Sequence, residues 1–588
     1  MHESLTTDIL ILGGGGAALC AALHAKRRGG PALTVTVAVK GLLAKSGCTR
    51  MVQGGYNAVL NPRDSLQRHF ADTIKGGAFL NDQELAWMLV SRAPRMIAEM
   101  ETRYGCFFDR NPDGTIHQKA FGGQSYDRTI HRGDLTGIEI MERLRDAVLG
   151  QDIRVLEDHR AVRLLRDRSG QRVCGALLLD MRRGTFTVAR ARAVLLATGG
   201  GPTMYKISSP SREKSMDGIA MAYEAGAVLM DMEMVQFHPS GIVVEGSELH
   251  GAVIEEGVRG AGGRLYNARG ERFMERYDQA RLERSMRDVV TRACYLEIME
   301  GRGTPAGGVW LDASHLGKEF VEREFPGMVE RTRAAGSDLA TGRVEVSPAA
   351  HFIMGGVRID ERCRTSVEGL YAAGEDASGV QGGNRLGGNG VAESTVFGAL
   401  AGDVLAEDVV GRAPAASEEG EVRRAIEEVT APLGRDTGED AYALLDRLRA
   451  MMWEKAGVVR EAHALEEAIA ELQDLEARAE RVKVHGRPQA NLEWMLWLNL
   501  RSLVVTSALV ARSALARTES RASHYRADYP VQDDRSWLRH VEIRRGANGG
   551  LGGDGPVVAT RPVRITRLRP DQVPAGAEWP GVPVTHDE

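Results

Sequence analysis

Aromatic residues make up only 5% of the chain, and cysteine is scarcer still, with six in 588 residues. Cys20, Cys48, Cys106, Cys174, Cys294 and Cys363 lie far apart, and no two form a C-x-x-C pair. That spacing excludes a local zinc, iron–sulfur or c-type haem motif, so no metal site is expected in the chain. So few cysteines in so long a chain fit a reducing compartment rather than a disulfide scaffold. Neither sign of charge dominates: 75 Lys and Arg against 80 Asp and Glu leave −5, which argues against a nucleic-acid partner. The longest apolar stretch, Leu492 to Ala511, is interrupted by Glu493, Asn499 and Arg501. It predicts a buried core helix and no direct membrane span. Met1 to Thr7 lacks the basic, apolar and small-residue succession of an export signal, and the expectation is a cytoplasmic chain. With 43% hydrophobic and 26% charged residues, disorder is excluded for most of the length.

What the sequence does have is glycine, 69 residues of it, without the triplet period of collagen. The glycines cluster after apolar runs. Asp8 to Leu12 leads into Gly13-Gly14-Gly15-Gly16-Ala17-Ala18, then a helical pattern to Arg28 and a second strand, Leu33 to Val39. Ala193 to Ala197 ends in Thr198-Gly199-Gly200-Gly201, and Gly369 to Ala373 ends in Gly374-Glu375. Strand ends that each carry glycine predict one parallel sheet with a ligand along its carboxyl edge. Gly13, Gly15 and Ala18 form G-x-G-x-x-A, a turn that lets a pyrophosphate approach the backbone at a helix N-terminus. The acid that usually holds a ribose at the end of the second strand is missing. Val39 and Lys40 stand there, and no Asp or Glu occurs between Asp8 and Asp64, which weakens a nicotinamide reading. Residues from about 240 to 350 read as an insertion. Ala413 to Gly420 reads as a linker, and beyond it Leu465, Ile469, Leu472 and Leu475 mark one helical face. In the tail, Gly546 to Gly555 reads as a flexible loop and Val557 to Leu568 as a strand.

Six ordered segments carry a resemblance: Gln53-Gly54-Gly55, KAFGGQS at Lys119–Ser125, QFHPSG at Gln236–Gly241, PAAHFIMGG at Pro348–Gly356, NRLGGN at Asn384–Asn389, and Glu519–Asp534. Together they resemble the flavoprotein subunits of succinate dehydrogenase and fumarate reductase, whose superfamily includes L-aspartate oxidase. The similarity runs over nearly the whole chain and weakens in the last stretch. It implies an α/β fold with a Rossmann-like FAD-binding domain (1–239 and 351–412) interrupted by an α+β capping domain (240–350). A helical bundle domain (413–521) and a small C-terminal domain (522–588) would follow. It implies FAD contacts from Gly13, Gly14, Gly15, Gly16, Ala18, Lys40, Thr49, Gln53, Gly54, Gly55, Thr198, Gly199, Gly200, Asp217, Glu375, Arg385 and Gly388. Asp217 has a plain alternative as a helix cap, and Glu375 as a turn residue.

The same resemblance implies that His238, His351 and Arg385 hold a dicarboxylate, with Phe121 and Glu255 beside it. Arg287 matches the family's proton donor, and Glu256 with Arg259 the relay that reloads it. Taken singly, each of these residues also has a structural reading, as a satisfied histidine or an ordinary ion pair. The family's activity is interconversion of fumarate and succinate. Its electrons pass to a separate iron–sulfur subunit, which some members dock on membrane anchor subunits. The alternatives are an aspartate-oxidase-like enzyme and a flavin-binding subunit without catalytic activity. Three departures matter. Cys48 stands where respiratory members carry the histidine bonded to the flavin, so dissociable FAD is expected. Glu255 replaces a threonine that donates to a substrate carboxylate; it is protonated, turned away, or meets an amine or hydroxyl. Gln381 and Gly390 replace a His and a Ser near Arg385. Phe121, where aspartate oxidases have a glutamate, offers an ammonium no partner and suits an alkene diacid.

Overall fold

The computed structural model describes residues 2–547, 549–552 and 555–572. A seven-stranded sheet organises the first half. Its path runs Arg154–Leu156, Val35–Ala38, His2–Leu12, Thr185–Leu196, Val173–Asp180, His159–Arg166, with Leu370–Ala372 also paired to Thr185–Leu196. The strands β1 (His2–Leu12) and β2 (Val35–Ala38) are parallel, as are their pairings to Thr185–Leu196 and Arg154–Leu156. Ile9 to Leu12 are almost wholly buried, as expected for a strand covered on both faces. β1 nevertheless begins at His2, six residues before the apolar run. Its first half is mostly exposed and polar, so hydrophobicity did not mark it, yet it pairs in register with Phe186 to Ala191. β2 is shorter than the expected Leu33–Val39. The hairpin His159–Arg166 and Val173–Asp180 adds antiparallel strands that the parallel-sheet expectation did not include.

The helix α1 (Gly16–Gly29) packs on the helix Asn389–Asp408, far apart in sequence. The approach is close because of glycine. A Cβ at Gly402 would sit 2.3 Å from the Ala21 carbonyl oxygen, a backbone atom that has no room to yield. This contact joins the two sequence halves of the sheet region.

Residues between roughly 240 and 350 build a four-stranded antiparallel sheet in the order Val235–Ile242, Arg343–Ile353, Val309–Asp312, Arg264–Tyr266. It has its own apolar core, including Ile242, Val258, Leu265, Val290, Leu311 and Val346. Its two long strands run across both expected limits of the insertion, and they carry His238 and His351. After the segment 413–418, which has no regular secondary structure, helices Glu419–Thr430, Ala441–Lys455, Ala462–Ala479 and Leu492–Ala516 follow. Leu465, Leu472 and Leu475 are buried on one face, with Ile469 at its edge. The Leu492 helix is long and apolar enough to cross a membrane, and 67% of its apolar window is buried inside the protein. The tail strand ends at Pro562 rather than Leu568, opposite Arg539, where its partner strand Arg539–Arg544 begins. The expected Gly546–Gly555 loop lies partly outside the described residues, as does the end of the C-terminal segment.

Gly402→Val should lower the urea midpoint by a shift worth about 1–3 kcal/mol or more, since an added side chain must push two backbones apart. An unchanged midpoint would show that the two helices separate without cost.

Candidate functional site

The three glycine-bearing strand ends meet at one edge. Gly13, at φ +124°, follows β1, and a Cβ there would lie 2.0 Å from the Ala197 carbonyl oxygen at the end of the neighbouring strand. Gly15 caps α1, whose first turn has no acidic residue, so its N–H groups are available to an anion. Gly16 N–H donates to Thr49 Oγ1 at 3.2 Å. Ala18 is fully buried and lets α1 lie close to the sheet. Gly14, Thr198, Gly199, Lys40 and Asp217 line the same recess. Asp376, which no sequence motif singled out, ties two strand ends together. Its carboxylate accepts from Thr198 N–H and from Gly199 N–H at 3.0 Å. Glu375 accepts from Gly201 and Ile353 N–H at 3.1 Å each, and burial pushes its carboxyl up to about 7. Gly200 lies against its side chain.

Lys40 explains the missing acid. Its ammonium meets Asp217 at 2.9 Å, Ser215 at 3.0 Å and Asn499 at 2.8 Å. Arg160 takes the other Asp217 oxygen at 2.7 Å. The carboxylate at this edge therefore comes from Asp217 and is already neutralised. Burial disfavours its charge, but Arg160 and Lys40 outweigh that and hold its pKa well below the usual range.

A cavity of about 1040 Å³ opens from this edge. Its walls bring together Gly15, Gly16, Cys48, Thr49, Gln53, Gly54, Gly55, Phe121, Glu375 and Gly388 with His238, His351, Arg385, Arg287, Glu255 and Glu256. A flat cofactor of nucleotide type fits these residues: an unopposed helix N-terminus at one end, a glycine-walled slot in the middle, and cations beyond. Phe121 is buried with its ring against Gly54 and Gly387.

The far wall holds the cations. Arg287 donates to Glu256 Oε2 from Nε at 2.8 Å and from Nη2 at 2.6 Å, and Arg259 Nη2 donates to Glu256 Oε1 at 3.3 Å. Gln236 Oε1 accepts from Arg287 Nη1 at 3.0 Å and from Arg385 Nη2 at 3.2 Å. Gln236 belongs to a quoted motif, but nothing in that motif marks it as the bridge between the two arginines. Burial raises the Glu256 carboxyl, yet Arg287 and Arg259 win and hold it below its ordinary value. Burial, then Arg287, pushes Arg385 down to about 9, and its guanidinium lies 4.5 Å over the Phe352 ring.

His238 and His351 face each other with ring centroids 5.3 Å apart. Their strands pair Gln236 with Phe352 but Phe237 with Ala350, so His351 is the extra residue of a bulge, and a bulge re-aims the side chain it carries. Ser240 N–H donates to His238 Nδ1 at 3.2 Å, which leaves Nε2 as the protonated nitrogen of the neutral ring. His351 Nδ1 shares a proton with Ser209 Oγ at 2.7 Å, a partner the sequence did not reveal. Burial, with Arg287 near His238 and Arg385 near His351, keeps both rings well below their ordinary pKa and neutral.

The departures resolve differently. Glu255 is buried; its Oε1 meets Lys119 Nζ at 3.2 Å and its Oε2 has no partner among the described residues. Burial raises its carboxyl. Gly390 does stand against Arg385. Gln381 is not on the cavity wall; its amide donates to Glu393 Oε2 at 2.7 Å. All six cysteines are free, and burial pushes the Cys48 thiol up to about 11. Burial likewise pushes Glu393 up from 4.5 to about 8. The folded state thus holds this proton more tightly than the unfolded chain, so the group takes stability away as pH rises from about 4.5 to 8 and no more above that. Glu393→Gln cannot ionise and should gain stability over the parent across that range, read as urea midpoints against pH; parallel curves would contradict it.

Comparison with known proteins agrees with this geometry. The model for the FAD binding domain matches residues 8–391, and the fumarate reductase flavoprotein C-terminal model matches 445–575. A subunit of the CoM/CoB fumarate reductase of Methanothermobacter marburgensis is 41% identical, over 92% of this chain and 98% of its own length. An uncharacterized FAD-dependent oxidoreductase of Methanocaldococcus jannaschii is 43% identical, over 92% and 96%. The FrdA chain of E. coli quinol fumarate reductase superposes with a TM-score of 0.91 at 31% identity, covering 97% of this chain and 98% of that one. The chain belongs to the fumarate reductase flavoprotein family of FAD-dependent oxidoreductases.

Proposed function

We propose that this chain is the catalytic subunit that interconverts fumarate, or a closely related dicarboxylate, and succinate. The observation that carries the reading is the buried chain Arg259–Glu256–Arg287, joined through Gln236 to Arg385 on the wall of the cavity. Bound FAD supplies the hydride donor or acceptor. Gly13 to Gly16, Ala18, Lys40, Thr49, Gln53 to Gly55, Thr198 to Gly200, Asp217, Glu375, Arg385 and Gly388 hold it in this reading.

Arg385 and the neutral His351 and His238 fix the acid and polarise it. Their hydrogen bonds to Gln236, Ser209 and Ser240 hold them in place before the substrate arrives, so little reorganisation opposes the reaction. Arg287 delivers the proton from Nη1, the guanidinium nitrogen that Glu256 does not hold. The neutral guanidine left on Arg287 is reprotonated through Glu256, whose ionised carboxylate takes a proton from Arg259 Nη2 at Oε1 and gives it up to Arg287. A guanidinium with an ordinary pKa above about 12 is a poor acid, so this relay is what makes Arg287 serviceable. The Phe121 ring gives an ammonium no ion pair, which favours an alkene diacid over an amino acid. Electrons travel through a separate iron–sulfur subunit, with anchor subunits holding the complex at the cytoplasmic face of the membrane. The five-part domain division set out from sequence belongs to the same reading.

Arg287→Ala should cut turnover on the order of 10²–10⁴-fold, with flavin content unchanged. Activity close to the parent's would remove Arg287 from the mechanism. The flavin is held without a covalent bond, since the Cys48 thiol, pushed up to about 11, is not a ready nucleophile. A denaturing gel should accordingly show no flavin fluorescence on the protein band.

A further inference from the structure

The cavity has a second polar wall that the mechanism leaves unused. Glu255 and Arg331 both line it, together with Gln53 and Asp134. Their electrostatic surroundings differ from those of the arginine cluster. His238 feels Arg287, His351, Arg259 and Arg385, whereas Glu255 feels Lys119, Asp134 and Arg331. Glu255 pairs with Lys119 and Arg331 with the Val253 carbonyl, so neither belongs to the hydrogen-bonded cluster of Gln236, Arg287 and Arg385.

On this second wall one carboxyl oxygen has no partner and one guanidinium has no ion pair among the described residues. Glu255 spends Oε1 on Lys119 at 3.2 Å, and Oε2 is buried without a partner among the described residues. Arg331 donates from Nη1 to the Val253 carbonyl at 2.8 Å, and its guanidinium faces the Gln53 amide oxygen. It forms no ion pair within 4.0 Å among the described residues, although it is half-buried beside Glu255 and Asp134. Asp134 is committed elsewhere, accepting from Gly327 N–H at 2.6 Å. A second bare carboxylate placed here would satisfy Arg331 but would face the Glu255 carboxylate, ion-paired with Lys119 at 3.2 Å, in a site of low dielectric. A group that accepts and donates side by side satisfies both residues.

We propose that Glu255 and Arg331 select, at the end of the substrate away from Arg385, a carboxamide-type group in place of a second carboxylate. Its carbonyl oxygen accepts from Arg331 and its N–H donates to Glu255 Oε2. The substrate class is then a short trans-unsaturated monocarboxylate with an amide end. This rests on the proposed hydride and Arg287 proton chemistry and changes one end of its substrate: the alkene would gain one hydride, of the kind reduced FAD would supply, and one proton, and no bond to the amide changes.

The probes are fumarate and its monoamide, which have nearly the same shape and differ in charge and donors at one end. Purified holoenzyme, with its flavin reduced anaerobically, is mixed with each acid, and flavin reoxidation is followed. Binding of succinate and of its monoamide to the oxidised protein is measured by calorimetry. The monoamide should show at least a tenfold higher kcat/KM, and the saturated monoamide at least tenfold tighter binding. Glu255→Thr should reverse the preference. Glu255→Gln, which keeps the shape but not the charge, should improve fumarate about tenfold relative to the monoamide. A parent enzyme that uses fumarate as well as or better than the monoamide overturns this inference and leaves the proposed function standing. So does a preference that neither variant changes. If neither acid reoxidises the flavin, the proposed function falls and this inference falls with it.

Discussion

Three buried guanidinium groups, those of Arg259, Arg287 and Arg385, share one carboxylate and one amide oxygen. Burying a cation is expensive, and Glu256 alone does not neutralise three. Gln236 reduces the cost by giving Arg287 and Arg385 a common acceptor, and the Phe352 ring gives Arg385 a face to lie on. A surplus of positive charge remains. The cluster is therefore built to receive an anion, and burial together with Arg287 pushes Arg385 down to about 9. The elements around the cluster must hold these groups dry and in register.

The capping sheet does most of that holding. Gln236 and His238 lie two apart on one strand, so both point to the same face. The partner strand supplies Phe352 opposite Gln236 and carries His351 at a bulge. One strand pair thereby positions the amide, both histidines and the aromatic floor under Arg385. Arg287 begins the helix Arg287–Glu297, and Glu256 begins the short helix Glu256–Gly260, so the relay is anchored at helix starts rather than in loops. Such a site gains precision from regular elements and loses it with any register slip.

Much of this was legible because strand ends with glycine and motifs with histidine or arginine leave a local signature. Gly13 to Gly16, Thr198 to Gly200 and Gly374-Glu375 announced a common edge before any contact was known. Local signatures do not report long-range partners. Gln236 as a bridge, Ser209 on His351, Asp376 across two strand ends and Arg331 beside Glu255 all join residues distant in sequence. The polar first half of β1 and the hairpin His159–Asp180 were missed for a related reason, since their pairing is set by neighbours rather than by their own hydrophobicity. Gln381 shows the converse error of reading position alone. Its place in a motif next to Arg385 suggested a site residue, and its amide instead serves Glu393.

The polar interruptions of the Leu492 helix show the same long-range logic at its fullest. In the sequence they served only to argue against a membrane span. In the fold, Glu493 accepts from His485, Arg501 meets Glu480 at 3.1 Å, and Asn499 Oδ1 accepts from Lys40 at 2.8 Å and Arg160 at 2.7 Å. Lys40 and Arg160 are the cations that neutralise Asp217 at the nucleotide edge. Asn499 thus adds a neutral acceptor where another carboxylate would upset the charge balance of two cations and one acid. A helix that reads as plain core in the sequence is joined through one amide to the edge where the flavin's nucleotide end is expected. The docking of the helical segment and the order of that edge are then a single structural problem, with Lys40 at its centre in the place where a ribose-binding acid would otherwise stand.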